Sequence, residues 1–338
     1  MNEIELVEET ARNILLENPD RVVRFRLLRD VLKLSPSNGR LISAKQEMLQ
    51  SRWVLELKKE QKEDGSWGRF HSAMKTKGKI LTTEAAVERG LALGLEESDP
   101  IFQATINYLS RLLDGSLDFP DPPERNNRWA TGKQLFVAAT LARICPTHPA
   151  IDKAWDLWAK IAKHTFASGK YDSEAEIQAH KTLTGASVKN SYLMLNGKYQ
   201  LALLGSRAAK LPATLEYALV DWVWRNEEGV GYLGIPLSNI PNHFTPGILD
   251  RFFTSFELLS HFLSWRKFAK DIIDWLWTQR NNEGLWDFGP RASMSVYFPL
   301  SETWRTPRHR QHDWTTRVLA LLRNYYETPN QLKMKKEH

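Results

Sequence analysis

The sequence predicts an all-α fold, an α/α toroid of roughly five to six helical hairpins. Three observations predict it: helical apolar periodicity along most of the chain, glycine-aromatic corners that recur at a near-constant interval, and two alternating kinds of helix. In order, residues 3–16 and 20–33 read as helices, with "LSPSNG" as a break behind them. "TTEAAVERGLALGL" (82–95), "GKQLFVAATLARI" (132–144) and "WTTRVLALLRNYYE" (314–327) carry apolar residues at i, i+3, i+4 and i+7. Segments 102–113, 150–166, 213–225 and 268–280 read as helices with wider polar faces. No stretch alternates for strand length with a hairpin signal behind it. The organisation that follows is an N-terminal helical extension (1–50), a toroid domain (51–328) and a flexible basic tail (329–338).

The corners set the repeat. "EDGSWG", "LDGSLDF", "ASGKYD", "NEEGVGY" and "NNEGLWDFG" centre on Gly65, Gly115, Gly169, Gly229 and Gly284, at spacings of 50, 54, 60 and 55 residues. Each glycine is placed to end a helix in a left-handed conformation, and an aromatic follows within a few positions: Trp67, Phe119, Tyr171, Tyr232, Trp286. Such a period fits two helices and their connections. A second series, Thr83, Thr131, Thr184, Thr245 and Thr315, runs in phase and reads as the N-caps of the alternate helices. Those Thr-started helices, such as "LFVAATLARI" and "ILDRFFTSFELLSHFL", are apolar on nearly all sides. The glycine-ended ones, such as "SRWVLELKKEQKEDG", are amphipathic. An inner layer wrapped by an outer one follows.

Composition narrows the class. Of 338 residues, 42% are hydrophobic and 25% charged, as in a folded globular protein. Thirteen Trp call for a cavity or core rich in aromatic rings. With 46 Lys plus Arg against 40 Asp plus Glu the net charge is +6, with both signs interleaved and no inner helix basic along its length, so nucleic acid is not expected as a partner. The single cysteine, Cys145, excludes an intrachain disulfide and a multi-cysteine metal site and suits a reducing compartment. No apolar run reaches the roughly 18 to 20 residues of a membrane span. A cytoplasmic protein without a transmembrane segment is expected.

"WVLELKKEQKEDGSWG" and "DWLWTQRNNEGLWDFG" resemble the QW motif of terpenoid cyclases of the squalene–hopene type. Gln61–Gly65–Trp67 and Gln279–Gly284–Trp286 match, and "DWVWRNEEGVGY" looks like a degenerate copy. The likeness covers residues 50–327 as a repeat pattern, and β subunits of protein prenyltransferases share the same toroid. The resemblance implies an α/α barrel around an aromatic-lined cavity. The family's chemical signatures do not accompany it. There is no Asp-x-Asp-Asp to protonate an alkene and no Asp-Asp-x-x-Asp to hold Mg²⁺. Cys145 lacks an Asp two residues before it, so a prenyltransferase zinc site is rejected and no metal site is expected.

The chemistry is therefore sought elsewhere. The stretch "PLSETWRTPRHRQHDWTTR" (299–317), read as a loop leading to a helix at Thr315, holds Arg305, Arg308, Arg310 and Arg317 with His309 and His312. Guanidinium forks beside a helix N-terminus suit a diphosphate or carboxylate head; a solvated basic loop anchored by Trp304 and Trp314 is the alternative. Trp129, Tyr192, Phe253 and Trp314 are candidates to line the pocket. Asp250 or Glu257 is the candidate proton donor, with His261 one turn from Glu257. Glu84, Arg89, Lys133, Gln134, Lys189, Asn190 and Arg251 also place polarity on otherwise apolar helices, where charge is costly unless paired or facing a wet cavity; an internal ion-pair network is the plainer reading of each. His71, beside the first corner, is a secondary candidate.

Three readings follow. The first is a terpenoid-cyclase-like or prenyltransferase-like enzyme on an amphiphilic substrate with an anionic head, needing no cofactor unless Mg²⁺ accompanies a diphosphate. The second is a non-catalytic toroid that binds a small ligand or a protein partner. The third is a carbohydrate-active α/α barrel with paired carboxylates.

Overall fold

The computed structural model describes residues 2–72, 80, 82–188, 191–245, 247–290 and 299–327. The chain is all-helical: no strand occurs among the described residues, and backbone pairing outside helices is limited to isolated bridges such as Gly197 with Gly231. The helices are α1 (Glu3–Leu16), α2 (Arg21–Arg26), α3 (Gly39–Leu49), α4 (Arg52–Glu60), α5 (Thr83–Leu93), α6 (Pro100–Asp114), α7 (Trp129–Ile144), α8 (Asp152–Thr165), α9 (Ser173–Thr184), α10 (Lys198–Gly205), α11 (Ala213–Arg225), α12 (Ile248–Leu259), α13 (Lys270–Thr278) and α14 (Pro307–Tyr326). None of them is long and apolar enough to cross a membrane.

Two kinds of helix are present, as expected. On α7, Leu135, Phe136, Val137, Ala138, Ala139, Thr140, Leu141 and Ala142 are all buried, so the helix is covered on every side. On α10 everything after Lys198 is buried. By contrast α8 buries only a stripe, with Trp155, Trp158, Ile161, Ala162 and Thr165. Neighbour contacts run from α2 to α3, α4 and α5, then from α5 to α7, α7 to α10 and α10 to α12. Phe253 of α12 meets Trp314 of α14 at 5.8 Å, and α14 packs on α1 and α2. Residues 1–50 are not separate from this packing: Val7, Val23, Phe25 and Met48 belong to the same hydrophobic core as Leu319 and Leu322.

The corner at Gly65 shows how sequence makes the repeat. Gly65 sits at φ +90°, and a Cβ there would lie 2.3 Å from the carbonyl oxygen of Ala104, so only glycine fits. Two residues on, the Trp67 indole N–H donates to Leu57 O on the last turn of α4 at 2.9 Å, while its backbone N–H donates to Thr83 Oγ1 at 3.0 Å. Trp286 repeats both bonds, to Leu276 O at 2.6 Å and to Thr315 Oγ1 at 2.9 Å. Each of these two corners thus ties the helix behind it to the buried helix ahead of it. The amide of Gln61 bonds Gly65 O, Ile101 O and Thr105 Oγ1, locking the corner to α6. In the second corner Arg280 does this through Nε to Gly284 O at 3.0 Å, and Gln279 bonds only Thr278. The motif partner there is therefore Arg280, four residues before its glycine as Gln61 is before Gly65.

Several boundaries differ from the sequence expectation. Of the five threonines expected as N-caps, none caps. Thr82, next to Thr83, accepts from Ala85 N instead. Thr131 is inside α7, Thr184 ends α9 before Gly185, Thr245 precedes the Gly247 cap of α12, and Thr315 is deep in α14. Thr83 and Thr315 recur because they receive the tryptophan amides. The stretch 299–317 is not a loop throughout: Pro307 opens α14, as proline at a first helical position does. Residues 20–33 form α2 and a π turn over Leu27–Val31. α3 and α9 are additional helices, and Tyr192 lies in a turn ahead of α10. Lys189, Asn190 and the basic tail lie outside the described residues.

One buried pair makes a pH prediction. The Glu176 carboxylate accepts from Leu195 N at 2.7 Å and from the Tyr171 hydroxyl at 2.7 Å. Burial pushes it up to about 7 against those bonds. His180, one turn on and 3.9 Å away, is brought down to about 4 by burial. Glu176 holds its proton more tightly folded than unfolded, so its stability contribution is full below its ordinary value of 4.5 and is lost as pH rises towards 7. His180 acts oppositely, losing stability as pH falls from 6.5 towards 4, and the two slopes offset each other. In Glu176→Gln only the histidine limb remains. Its unfolding free energy relative to wild type should rise by about 2–3 kcal/mol between pH 4.5 and 7.5. Parallel urea-derived profiles would sink this account.

Candidate functional site

The first corner also builds a site. Residues 70–72 follow it as a short non-helical segment, held by the buried carboxylate of Asp121. Asp121 accepts from Phe70 N at 2.7 Å, His71 N at 2.9 Å and Ser72 N at 2.6 Å. Three converging amides fix the backbone from which the His71 ring projects. Glu84 is the second residue of α5, and its amide donates to Phe70 O at 3.1 Å, which brings acid and imidazole together. His71 Nδ1 is 2.8 Å from Glu84 Oε2. α10 supplies the rest from its first turn: Lys198 Nζ is 2.6 Å from Glu84 Oε1, and the Tyr199 hydroxyl lies 2.8 Å from both carboxylate oxygens.

The electrostatics fix the protons. Burial pushes Glu84 up, but the Lys198 ammonium and the His71 hydrogen bond outweigh it and bring the carboxyl down to about 2. Burial depresses Lys198, and the Glu88 and Glu84 charges more than reverse that. Burial and the Glu84 charge hold the Tyr199 hydroxyl well above its ordinary range, so it donates. The carboxylate only accepts, so its contact with Nδ1 is a hydrogen bond in the tautomer that carries the proton there, and the Tyr199 hydroxyl, 2.9 Å from the same nitrogen, completes the triangle. The His71 side chain is 28% exposed. Lys198 continues to Glu88 at 3.4 Å, and Arg143 bonds Glu88 at 2.9 Å.

Aromatic rings wall this cluster. The His71 ring stacks on Phe136 at 4.9 Å and meets Tyr199 and Tyr232 edge-on at 5.9 and 5.8 Å. Phe136 touches Tyr192 at 5.6 Å, and Trp129 meets Phe119 at 5.4 Å. Tyr232 stands out: it is 46% exposed and at φ +70°, a left-handed conformation unusual for a bulky residue. The backbone around it is tied to α10, since Gly231 N donates to Asn196 O and Lys198 N to Gly231 O. Strain of this kind persists where the surroundings over-determine it, and here it holds a ring against the imidazole.

The residues singled out from sequence are distributed differently. Arg317 donates from Nε and Nη2 to Glu257 at 2.6 and 2.9 Å and from Nη1 to Asp250. Burial would lower the guanidinium, and the two carboxylates reverse it, so Arg317 stays charged. The expected proton donors, Asp250 and Glu257, and one expected head-binding arginine are thus one internal ion-pair network, the plainer of the two readings. Arg308 pairs with Glu17 and Glu283, and Arg310 bonds both oxygens of Asp287 at 2.7 and 2.8 Å. His312 is 3.1 Å from Glu17, and His309 donates to Thr303 O at 3.2 Å. Arg305 is exposed. Arg308, Arg310, His312 and Arg317 are engaged with acids of their own chain rather than converging on one anion. Phe253 and Trp314 are fully buried in the core, whereas Trp129 and Tyr192 stand at the aromatic wall.

His71 is a secondary candidate from sequence, Tyr192 a pocket-lining one and Glu84 one charge among several on apolar helices, whereas Tyr199, Lys198 and Asp121 carry no signal that singles them out. The signal for Asp121 was absent, because its partners are 49 to 51 residues away and are backbone amides. A separate cavity of about 310 Å³ lies between α7, α8 and α9, lined by Thr131, Gln134, Leu135, Leu157, Trp158 and Leu183 among others. Among the described residues no group of three or more His, Cys, Asp or Glu could hold a metal ion. Comparison with family models, with curated proteins and with solved structures finds no match to this chain.

Proposed function

We propose that the helices close into an α/α toroid and that the His71–Glu84–Tyr199 cluster is its catalytic site, moving a proton on an amphiphilic substrate with an isoprenoid-like apolar body. The closure reading is supported by the sequence of neighbours, in which α14 returns to α1 and α2 while α4 leads into α5. The observation that carries the chemistry is the His71 Nδ1 contact with Glu84 at 2.8 Å inside a wall of aromatic rings. The ionised carboxylate fixes the tautomer and stabilises the imidazolium that forms when Nε2 takes a proton. The substrate C–H bond breaks, its electron pair stays on the substrate, and the proton resides on Nε2 until it is returned or released. The exposed face of Tyr232 and the half-buried ring of Tyr192 accommodate an apolar body beside the imidazole.

The scaffold and substrate class proposed are terpenoid-cyclase-like, and the chemistry favoured is proton abstraction, as in the migration of a double bond with the proton returned at another carbon. Alkene protonation needs a strong carboxylic acid, and Glu84 is held in its ionised form. The test is incubation with geraniol, geranic acid, farnesol and farnesyl diphosphate in D₂O, with and without Mg²⁺, read by mass spectrometry. Wild type should give product or deuterium incorporation, and His71→Ala should reduce the rate by about 10²–10⁴-fold while melting as wild type. Turnover unaffected by His71→Ala would move the site elsewhere. No turnover of any compound would leave a toroid that binds a ligand or protein partner, and turnover of short oligosaccharides alone, incubated in parallel, would favour the paired-carboxylate reading.

A further inference from the structure

We propose that the cavity between α7, α8 and α9 is a second binding site, which takes a compact apolar monocarboxylic acid; it is separate from the His71 cluster and does not depend on that reading. Its volume is about 310 Å³. That falls in the usual range of a small-molecule site and is about twice the roughly 150 Å³ that holds a benzene ring in a protein core. The position of the cavity follows from the start of α7. From Leu135 to Ala142 every residue of that helix is buried, but Ala130, Thr131 and Gln134 ahead of them are not. The start of α8, with Lys153, Ala154 and Leu157, stands across from them, and Leu183 and Thr184 at the end of α9 supply the third side. Alanine at 130 and at 154 leaves open a space that longer side chains would fill.

The cavity is open to solvent. Leu183 is 37% exposed, Ala154 and Leu157 are half-buried, and Ala130, Gln134 and Lys153 are exposed. Leu135 and Trp158, both buried, form its base. The His180 ring meets Trp158 edge-on at 5.2 Å, and Thr184 Oγ1 donates to His180 O at 2.7 Å, so base and rim are braced before a ligand arrives. An apolar body gains free energy by leaving water for the surfaces of Leu157, Trp158 and Leu183.

The polar groups decide the head. Thr131, Gln134 and Lys153 line the cavity, and their side chains make no hydrogen bond or ion pair with another described residue. No Asp or Glu is among the lining residues. Asp152, next to Lys153 in the chain, is engaged by Arg207 at 2.6 Å, which leaves the Lys153 charge uncompensated. Hydroxyl, amide and ammonium all donate, and a carboxylate accepts at both oxygens. One ammonium balances one negative charge, so a monoanion fits and a diphosphate does not. Because Lys153 is exposed, its charge selects the head while the apolar body supplies most of the affinity.

The test is calorimetric titration of the full chain with naphthoic acid and naphthylmethanol, which share a two-ring body and differ in the carboxylate. Naphthoate should saturate with a dissociation constant below about 1 mM, and benzoate, with one ring fewer, should bind about tenfold more weakly. The alcohol should bind about twofold to fivefold more weakly than the acid, and Lys153→Gln should bring the acid down to the alcohol. Ala130→Phe fills the cavity from an exposed position, and Leu183→Asp sets a like charge inside it. Each should weaken naphthoate by at least about tenfold while melting close to wild type. Unchanged affinity in both of these variants, or no saturation by either compound, overturns the site. Equal affinities for acid and alcohol, unmoved by Lys153→Gln, overturn the carboxylic-acid assignment. His71→Ala should leave the titration unchanged; a loss there would place naphthoate in the His71 pocket and overturn the inference without touching the catalytic reading.

Discussion

Replacing Arg317 by Ala should lower the unfolding free energy by about 3–5 kcal/mol, the usual result of removing one partner from a buried ion pair. Spread over a chain of this length, that is a fall of about 4–7 °C in melting temperature. The reason is asymmetry. The Asp250 side chain is only 5% exposed and cannot reach water when its counter-ion goes, whereas Glu257 is 37% exposed and relaxes outward. Because Arg317 also carries α12 to α14, its loss loosens Phe253 against Trp314. The companion variant Arg317→Met/Asp250→Leu, which removes both charges at similar volume, should recover most of the loss. A cost of less than about 1 kcal/mol for Arg317→Ala would mean that Asp250 is solvated, and would return Asp250 to the list of proton donors.

Glu84→Gln should hurt both stability and chemistry. The substitution keeps the shape but deletes the charge on which Lys198, His71 and Tyr199 converge. Lys198 retains only Glu88, at 3.4 Å, so a nearly buried ammonium loses its closer counter-ion. A cost of about 2–4 kcal/mol is expected, below that of a wholly orphaned charge because Glu88 remains. The second readout separates a merely structural role from a positioning one. In wild type the neutral His71 ring should carry its proton on Nδ1, visible in the nitrogen chemical shifts. In Glu84→Gln a mixture of both tautomers should appear, and any turnover should fall by about 10²–10⁴-fold. An unchanged tautomer would show that the backbone, not Glu84, sets the ring.

The sequence made the helical repeat legible because glycine has a local physical signature. Gly65 and Gly284 do not end helices as expected, since α4 stops at Glu60 and α13 at Thr278. They turn the chain at positive φ a few residues further on, and Trp67 and Trp286 fold back onto the helix before them, all within about ten residues of chain. What it concealed is action at a distance. Thr83 and Thr315 look like caps, yet each is an acceptor for a tryptophan amide 16 or 29 residues earlier. The charged residues on apolar helices were visible as oddities, but a linear pattern names a charge without naming its partner. Arg317 looked like a free clamp until Asp250 and Glu257 were placed against it, 67 and 60 residues back. The site was harder still. His71 and Glu84 are 13 residues apart, but Tyr199 joins them from 115 residues beyond Glu84, and no periodicity connects the two.

The packing of α1 against α14 has a consequence for how the chain is made. Glu8 meets Arg323 across 315 residues, and Glu17 meets Arg308 across 291. α1 carries Val7, Ala11 and Ile14 on its buried face, and of the two elements that pack on it the turn at Leu27–Val31 is translated soon after it whereas α14 follows almost 300 residues later. Contacts of such range carry a loop-closure cost, so the docking of α1 on α14 comes late. Until α14 is made that apolar face is only partly covered, by the turn at Leu27–Val31, and the remainder is an aggregation hazard.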